Sequence, residues 1–135
     1  MDILRYTIYR PMHFLGIFLI MLSIGAICTH VMSGGTKENN PKRKFFAITH
    51  GVGLLLALTG GMGLMAAQHL THAAGEKLPH WIIVKLIIWL IFGMASMLIY
   101  KLPKLAPAFF FLFCFLGVSA GFLANMFIRT FLIGF

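Results

Sequence analysis

Carboxylates are nearly missing from this chain: its 135 residues include three, Asp2, Glu38 and Glu76, against eleven Lys and Arg. None of the three falls within the long apolar stretches that dominate the sequence. No Asp or Glu there can serve as a general base or complete a Ser–His–Asp triad, so hydrolytic chemistry has no candidate constellation. The same shortage argues against a proton-coupled carrier, which relies on carboxylates inside its spans. Cysteine is scarce too. Cys28 and Cys114 form no CxxC pair, which removes a disulfide framework and covalent c-type haem attachment, and both read as small hydrophobes.

What the chain has in abundance is apolar length. Hydrophobic residues make up 60% of it, charged residues 10%, and the mean hydropathy is +0.94. A soluble domain of this size has no interior large enough for that surface, so the sequence describes an integral membrane protein. Four stretches, residues 11–32, 45–69, 80–100 and 107–131, each approach or exceed the ~20 residues that carry a helix across the hydrocarbon. Polar breaks separate them: SGGTKENNPKRK at 33–44, THAAGEKLP at 71–79 and KLPKLAP at 101–107. Connections this short make sequence neighbours antiparallel neighbours, which predicts an all-α, up-down four-helix bundle in a single domain over 1–135. The first stretch exceeds a signal-peptide core and lacks a small-x-small cleavage site, so it is expected to be a retained helix.

Basic residues set the expected orientation. Arg5, Arg10, Lys77 and Arg129 lie on the side of the termini, and Lys37, Lys42, Arg43, Lys44, Lys101 and Lys104 on the other. The excess, with the Lys42–Arg43–Lys44 cluster abutting a helix, predicts cytoplasmic first and third loops and periplasmic termini in a bacterial inner membrane. The net charge of +8 is then juxtamembrane anchoring to lipid headgroups rather than nucleic-acid binding.

Small residues recur every four positions at Gly53, Ala57 and Gly61, and again at Gly117 and Gly121, followed by Asn125. Such ridges let helices pack closely where lipid supplies no hydrophobic drive between them; they could also form a flat wall for a planar ligand. Six histidines are distributed between the two ends of the spans. His30 and His50 fall near the inner face; His13, His69, His72 and His80 fall near the outer one. A b-type haem needs imidazoles from facing helices in an apolar cleft, and a bundle offers two pairs, His30 with His50 and His13 with His69. At about 100° per residue, His13 and His30 sit roughly a quarter-turn apart, so the two pairs are compatible with one bundle without being aligned. His72 and His80 flank a loop and read as interfacial residues.

Lys85 lies about one and a half turns into the third span, on a stripe with Trp81, Trp89 and Gly93, and His13 in PMHFLG would lie at the same membrane depth. A lysine there either snorkels to the interface or turns inward to meet an anion such as a porphyrin propionate, a quinone oxygen or a lipid phosphate.

His13, the string ITHGVGLLLALTGGMGLM and the segment LPHWIIVKLIIWLIFG together resemble the small four-helix membrane proteins of the SirB type, and the similar HemJ-type protoporphyrinogen oxidases and CopD-like proteins. The resemblance spans nearly the whole chain. It implies a bundle associated with haem b, with the functional first-helix histidine and third-helix lysine falling on His13 and Lys85. Two features differ from the oxidase branch: THVMSGGTKENN lacks that branch's arginine-bearing continuation, and IFGMASM in the third helix carries no histidine. His50 before GVGLLL follows the SirB pattern.

Two classes of function follow. One is a haem- or porphyrin-handling redox or electron-transfer protein, with His13, Lys85, His50 and His30 as candidate cofactor-binding residues and His13 and His50 as candidate metal ligands; an enzyme of this class would be an oxidoreductase. The other is a non-enzymatic accessory subunit of a larger respiratory or photosynthetic membrane complex, or a homo-oligomer, presenting its 14 phenylalanines to lipid or partner.

Overall fold

The computed structural model describes residues 2–67 and 80–133, with side chains described as far as Leu123 in the last helix. Four helices run α1 (Ile3–Met32), α2 (Arg43–Ala67), α3 (His80–Lys101) and α4 (Ala106–Ile133), and each carries an apolar segment long enough to cross a membrane. The architecture is the all-α four-helix bundle that the apolar runs predict. A single 3₁₀ turn, Pro103–Leu105, joins α3 to α4. His69 and His72, and with them the proposed His13–His69 pair, lie outside the described residues.

The first helix departs from expectation. The apolar run places its start at Pro11, yet α1 begins eight residues earlier. The cause is a set of contacts that proline rules do not see. The Asp2 side chain caps the helix by accepting from Arg5 N at 3.2 Å and forms an ion pair with the Arg5 Nε, also at 3.2 Å. The Asp2 backbone N–H donates to the Ala67 carbonyl at the end of α2, 2.9 Å away, and the Tyr9 ring lies against Gly63. Pro11 therefore sits inside a helix whose early turns are held by α2. The other end of α1 closes as a Schellman motif: Gly34 adopts φ +83°, its N–H reaches Val31 O at 3.0 Å, and Gly35 N reaches His30 O at 2.9 Å.

Helices α1 and α3 each touch all the others, whereas α2 and α4 make no contact among the described residues and occupy opposite corners. The most extensive pairing is α1 on α2. Its seam is built from Gly16 on one side and Gly53, Ala57 and Gly60 on the other. A Cβ added at Gly53 would stand 2.9 Å from Gly16 O, and one at Gly60 would stand 2.6 Å from the His13 backbone nitrogen. The small-residue spacing on α2 is thus answered by the opposing backbone, and the flat-wall alternative for a planar ligand is absent from this seam. On α4, a Cβ added at Gly117 would meet Met21 and Phe92 at 3.8 and 3.9 Å, whereas one at Gly121 would meet nothing within 4 Å.

The core adjoins the α1–α2 seam, sharing Ala57 with it. Ile20, Ile24, Ile27 and Cys28 meet Ile88, Phe92, Ala95 and Ile99 of α3, and Phe113 of α4 closes the cluster with its ring 5.4 Å from that of Phe92. Ser23 is fully buried here, and its hydroxyl donates to Leu19 O at 2.7 Å, so the core holds no stray donor at that position. Outward, Phe111, Phe115, Val118 and Phe122 give α4 an exposed apolar face.

Candidate functional site

In the third turn of α1, His13 is fixed by α2. Its Nδ1 lies 2.6 Å from the carbonyl oxygen of Ala57. A carbonyl only accepts, so Nδ1–H is the donor and the neutral ring keeps its lone pair on Nε2. That is the arrangement in which a backbone carbonyl orients an imidazole for ligation or proton transfer through the opposite nitrogen. Glycines make the position possible: Gly60 lies under the His13 backbone, and a Cβ at Gly61 would press on the ring's Nδ1 and Cε1 at 3.3 Å.

Lys85 comes to the same region from α3 and lies within Coulombic range of His13. It is half-buried, and its ammonium sits 5.6 Å from the centroid of the Trp81 ring. One helical turn further on, the Trp89 indole N–H donates to Leu54 O at 3.0 Å and ties α3 to α2. The stripe inferred from Trp81, Lys85, Trp89 and Gly93 therefore flanks the buried face of α3 formed by Ile82, Ile88, Phe92, Ala95 and Ile99: its first three members are half-buried and Gly93 is exposed. The Lys85 side chain is thus neither fully exposed nor fully buried, and its ammonium lies over an aromatic face.

The remaining candidates stand apart from that pair. His50 is 4% exposed, and its Nε2 lies 3.0 Å from Phe92 O, so Nε2–H donates across the α2–α3 contact. Its Nδ1 is buried without a hydrogen-bond partner. His30 donates through Nε2 to Thr36 O at 3.0 Å and Asn39 Oδ1 at 3.1 Å, closing the loop after α1. Each ring thus has its Nε2 engaged by structural acceptors. Among the described residues, no three His, Cys, Asp or Glu side chains converge as a metal-binding group.

Two polar ties had no signal in the sequence. Asn40 is 7% exposed; its Nδ2 donates to the Tyr100 hydroxyl at 2.7 Å and its Oδ1 accepts from Lys42 N at 3.0 Å. With His50 on Phe92 O, it latches the first loop and α2 onto α3.

No family model matches this chain, and neither a curated protein nor a solved structure matches it.

Proposed function

We propose that this chain is an inner-membrane protein that holds an anionic, largely apolar cofactor of the tetrapyrrole class, haem b being the first candidate, at the outer end of its bundle. The observation that carries the reading is the tautomer of His13, locked by Ala57 so that Nε2 keeps its lone pair, on a helix that packs against the one bearing the intramembrane Lys85. The donor set fits such a group: His13 Nε2 would hold its iron and the Lys85 ammonium would pair with a propionate. A haem bound there would supply one-electron redox chemistry. The chain's own residues orient the imidazole, pair the carboxylate and keep water from the α1–α2 seam. His50 and His30 are structural ties in this reading. The likeness to SirB- and HemJ-type proteins and the weighting of basic residues support it, with the termini on the periplasmic side.

The test is an absorption spectrum of the purified protein, oxidised and dithionite-reduced, after expression with ample haem supply. Soret and α bands in the wild type that vanish or shift in His13→Ala are expected; a colourless wild-type protein overturns the proposal. A second reading is favoured by the exposed phenylalanine face of α4, which suits a subunit packed against a larger membrane complex. It predicts a colourless protein that leaves mild detergent with a partner attached.

A further inference from the structure

At the opposite end of the bundle, α1, the first loop, α2 and α3 line an open cavity of about 190 Å³. Three cations line it, each from a different segment: Lys37 from the first loop, Arg43 from the start of α2 and Lys101 from the end of α3. Tyr100 contributes its hydroxyl, and Asn40 gives that hydroxyl a direction. Because the Asn40 amide donates to the phenol oxygen at 2.7 Å, the phenol's own hydrogen is left to be donated elsewhere. The Ser96 hydroxyl is also part of the lining, and Ala47 and Met97 supply an apolar wall that continues toward the span.

Among the described residues, no carboxylate lines this cavity. Glu38, the acidic residue of the adjoining loop, accepts from its own backbone N–H and from Thr36, so its charge is engaged locally although it feels Arg43 and Lys37. Three lining cations with no lining counter-ion call for an anion. Hydroxyl and guanidinium donors together suit tetrahedral oxygens, which Arg can bind in a bidentate manner. The apolar wall below the charges suits a chain descending from that anion into the hydrocarbon.

We propose that this cavity is a binding site for a phosphate ester anion, with Arg43, Lys101 and Lys37 as its charge partners and Tyr100 as a positioned hydroxyl donor. The shared chemistry is the phosphate; an anionic lipid headgroup and a soluble phosphate ester are its two sources.

Native mass spectrometry of the full chain in detergent, titrated with dioleoylphosphatidylglycerol, dioleoylphosphatidylcholine or glycerol 3-phosphate, tests it. Phosphatidylglycerol is expected to bind the wild type at least about tenfold more tightly than phosphatidylcholine. That preference is lost in Arg43→Gln/Lys101→Gln, since each charge-assisted contact contributes about a factor of ten. Lys42→Gln/Lys104→Gln removes the same charge from residues outside the cavity lining and leaves the preference intact. Tyr100→Phe, which deletes one oxygen, weakens binding several-fold. Glycerol 3-phosphate that competes assigns the site to soluble esters; failure to compete alongside lipid binding assigns it to a headgroup. Equal losses in the two double variants reveal diffuse surface charge and overturn the proposal, as does a wild type with no preference for either anion.

Discussion

The imidazole of His13 and the carbonyl of Ala57, 44 residues apart, meet at 2.6 Å across the closest helix seam in the molecule. The contact joins two roles, a clip between α1 and α2 and a lock on the tautomer that frees Nε2. The two roles separate by substitution. An asparagine amide can donate to Ala57 O but offers no imidazole lone pair. His13→Asn is therefore expected to unfold in detergent close to wild type, and His13→Ala to lose about 0.5–1.5 kcal/mol, the usual net worth of one hydrogen bond. Both variants are expected to lose the haem bands. Retained bands in His13→Asn would remove Nε2 from the ligand set.

The glycine seam makes a graded prediction. A methyl at Gly60 or Gly53 meets backbone atoms, which cannot move aside as a flexible side chain can, so the helices must part. Gly60→Ala and Gly53→Ala should each cost about 1–3 kcal/mol, the range for overpacking a tight interior. Gly51→Ala and Gly121→Ala, where a Cβ meets nothing within 4 Å, should leave stability unchanged. Thermal unfolding of the four variants in one detergent ranks them. A uniform response would show that the seam is softer than its geometry.

The sequence carried the four spans and the bundle because both depend on run length and loop length, which are one-dimensional properties. It also carried the α2 ridge, since four-residue spacing is a helical property. It failed where a distant element decides. Pro11 reads as a helix start until Tyr9 is seated on Gly63 and Asp2 on Ala67. The hydrogen bond of His50 Nε2 to Phe92 O has no signal either, because any carbonyl in a helix looks alike in sequence. Asn40 and Tyr100 are 60 positions apart and carry no shared pattern. Of the candidate site, His13 and Lys85 were legible because a titratable group in an apolar run is costly and stands out; the glycines beneath His13 were visible only as packing.

The Asn40–Tyr100 tie should behave as a coupled pair. Asn40 is buried, so Asn40→Ala leaves the Tyr100 hydroxyl without its donor and releases Lys42 N, and Tyr100→Phe leaves the Asn40 amide unpaired. Each single variant is expected to lose about 1–3 kcal/mol, the cost of an orphaned buried polar group. The double variant should lose less than their sum, with a coupling of roughly 0.5–3 kcal/mol from a double-mutant cycle. Strict additivity would mean that the two groups do not interact in the membrane-bound protein.

Glu38 gives the first loop a defined response to acid. Its own backbone N–H and the Thr36 side chain hydrogen-bond to the carboxylate, and Arg43 and Lys37 add attraction, so its pKa is held below the ordinary carboxylate value. A depressed folded pKa means that the folded loop binds this proton less readily than the unfolded chain. The stabilisation from Glu38 is therefore complete above the unfolded carboxylate pKa and is lost as pH falls through the lower, folded one. An NMR titration of the Glu38 carboxyl carbon in detergent should give a midpoint below that of a model glutamate. Thr36→Val, which removes one donor, should move the midpoint back up, while Lys104→Gln, outside the set of groups acting on Glu38, should not. A midpoint at the model value in the wild type would mean that the Thr36–Glu38 turn does not persist in solution.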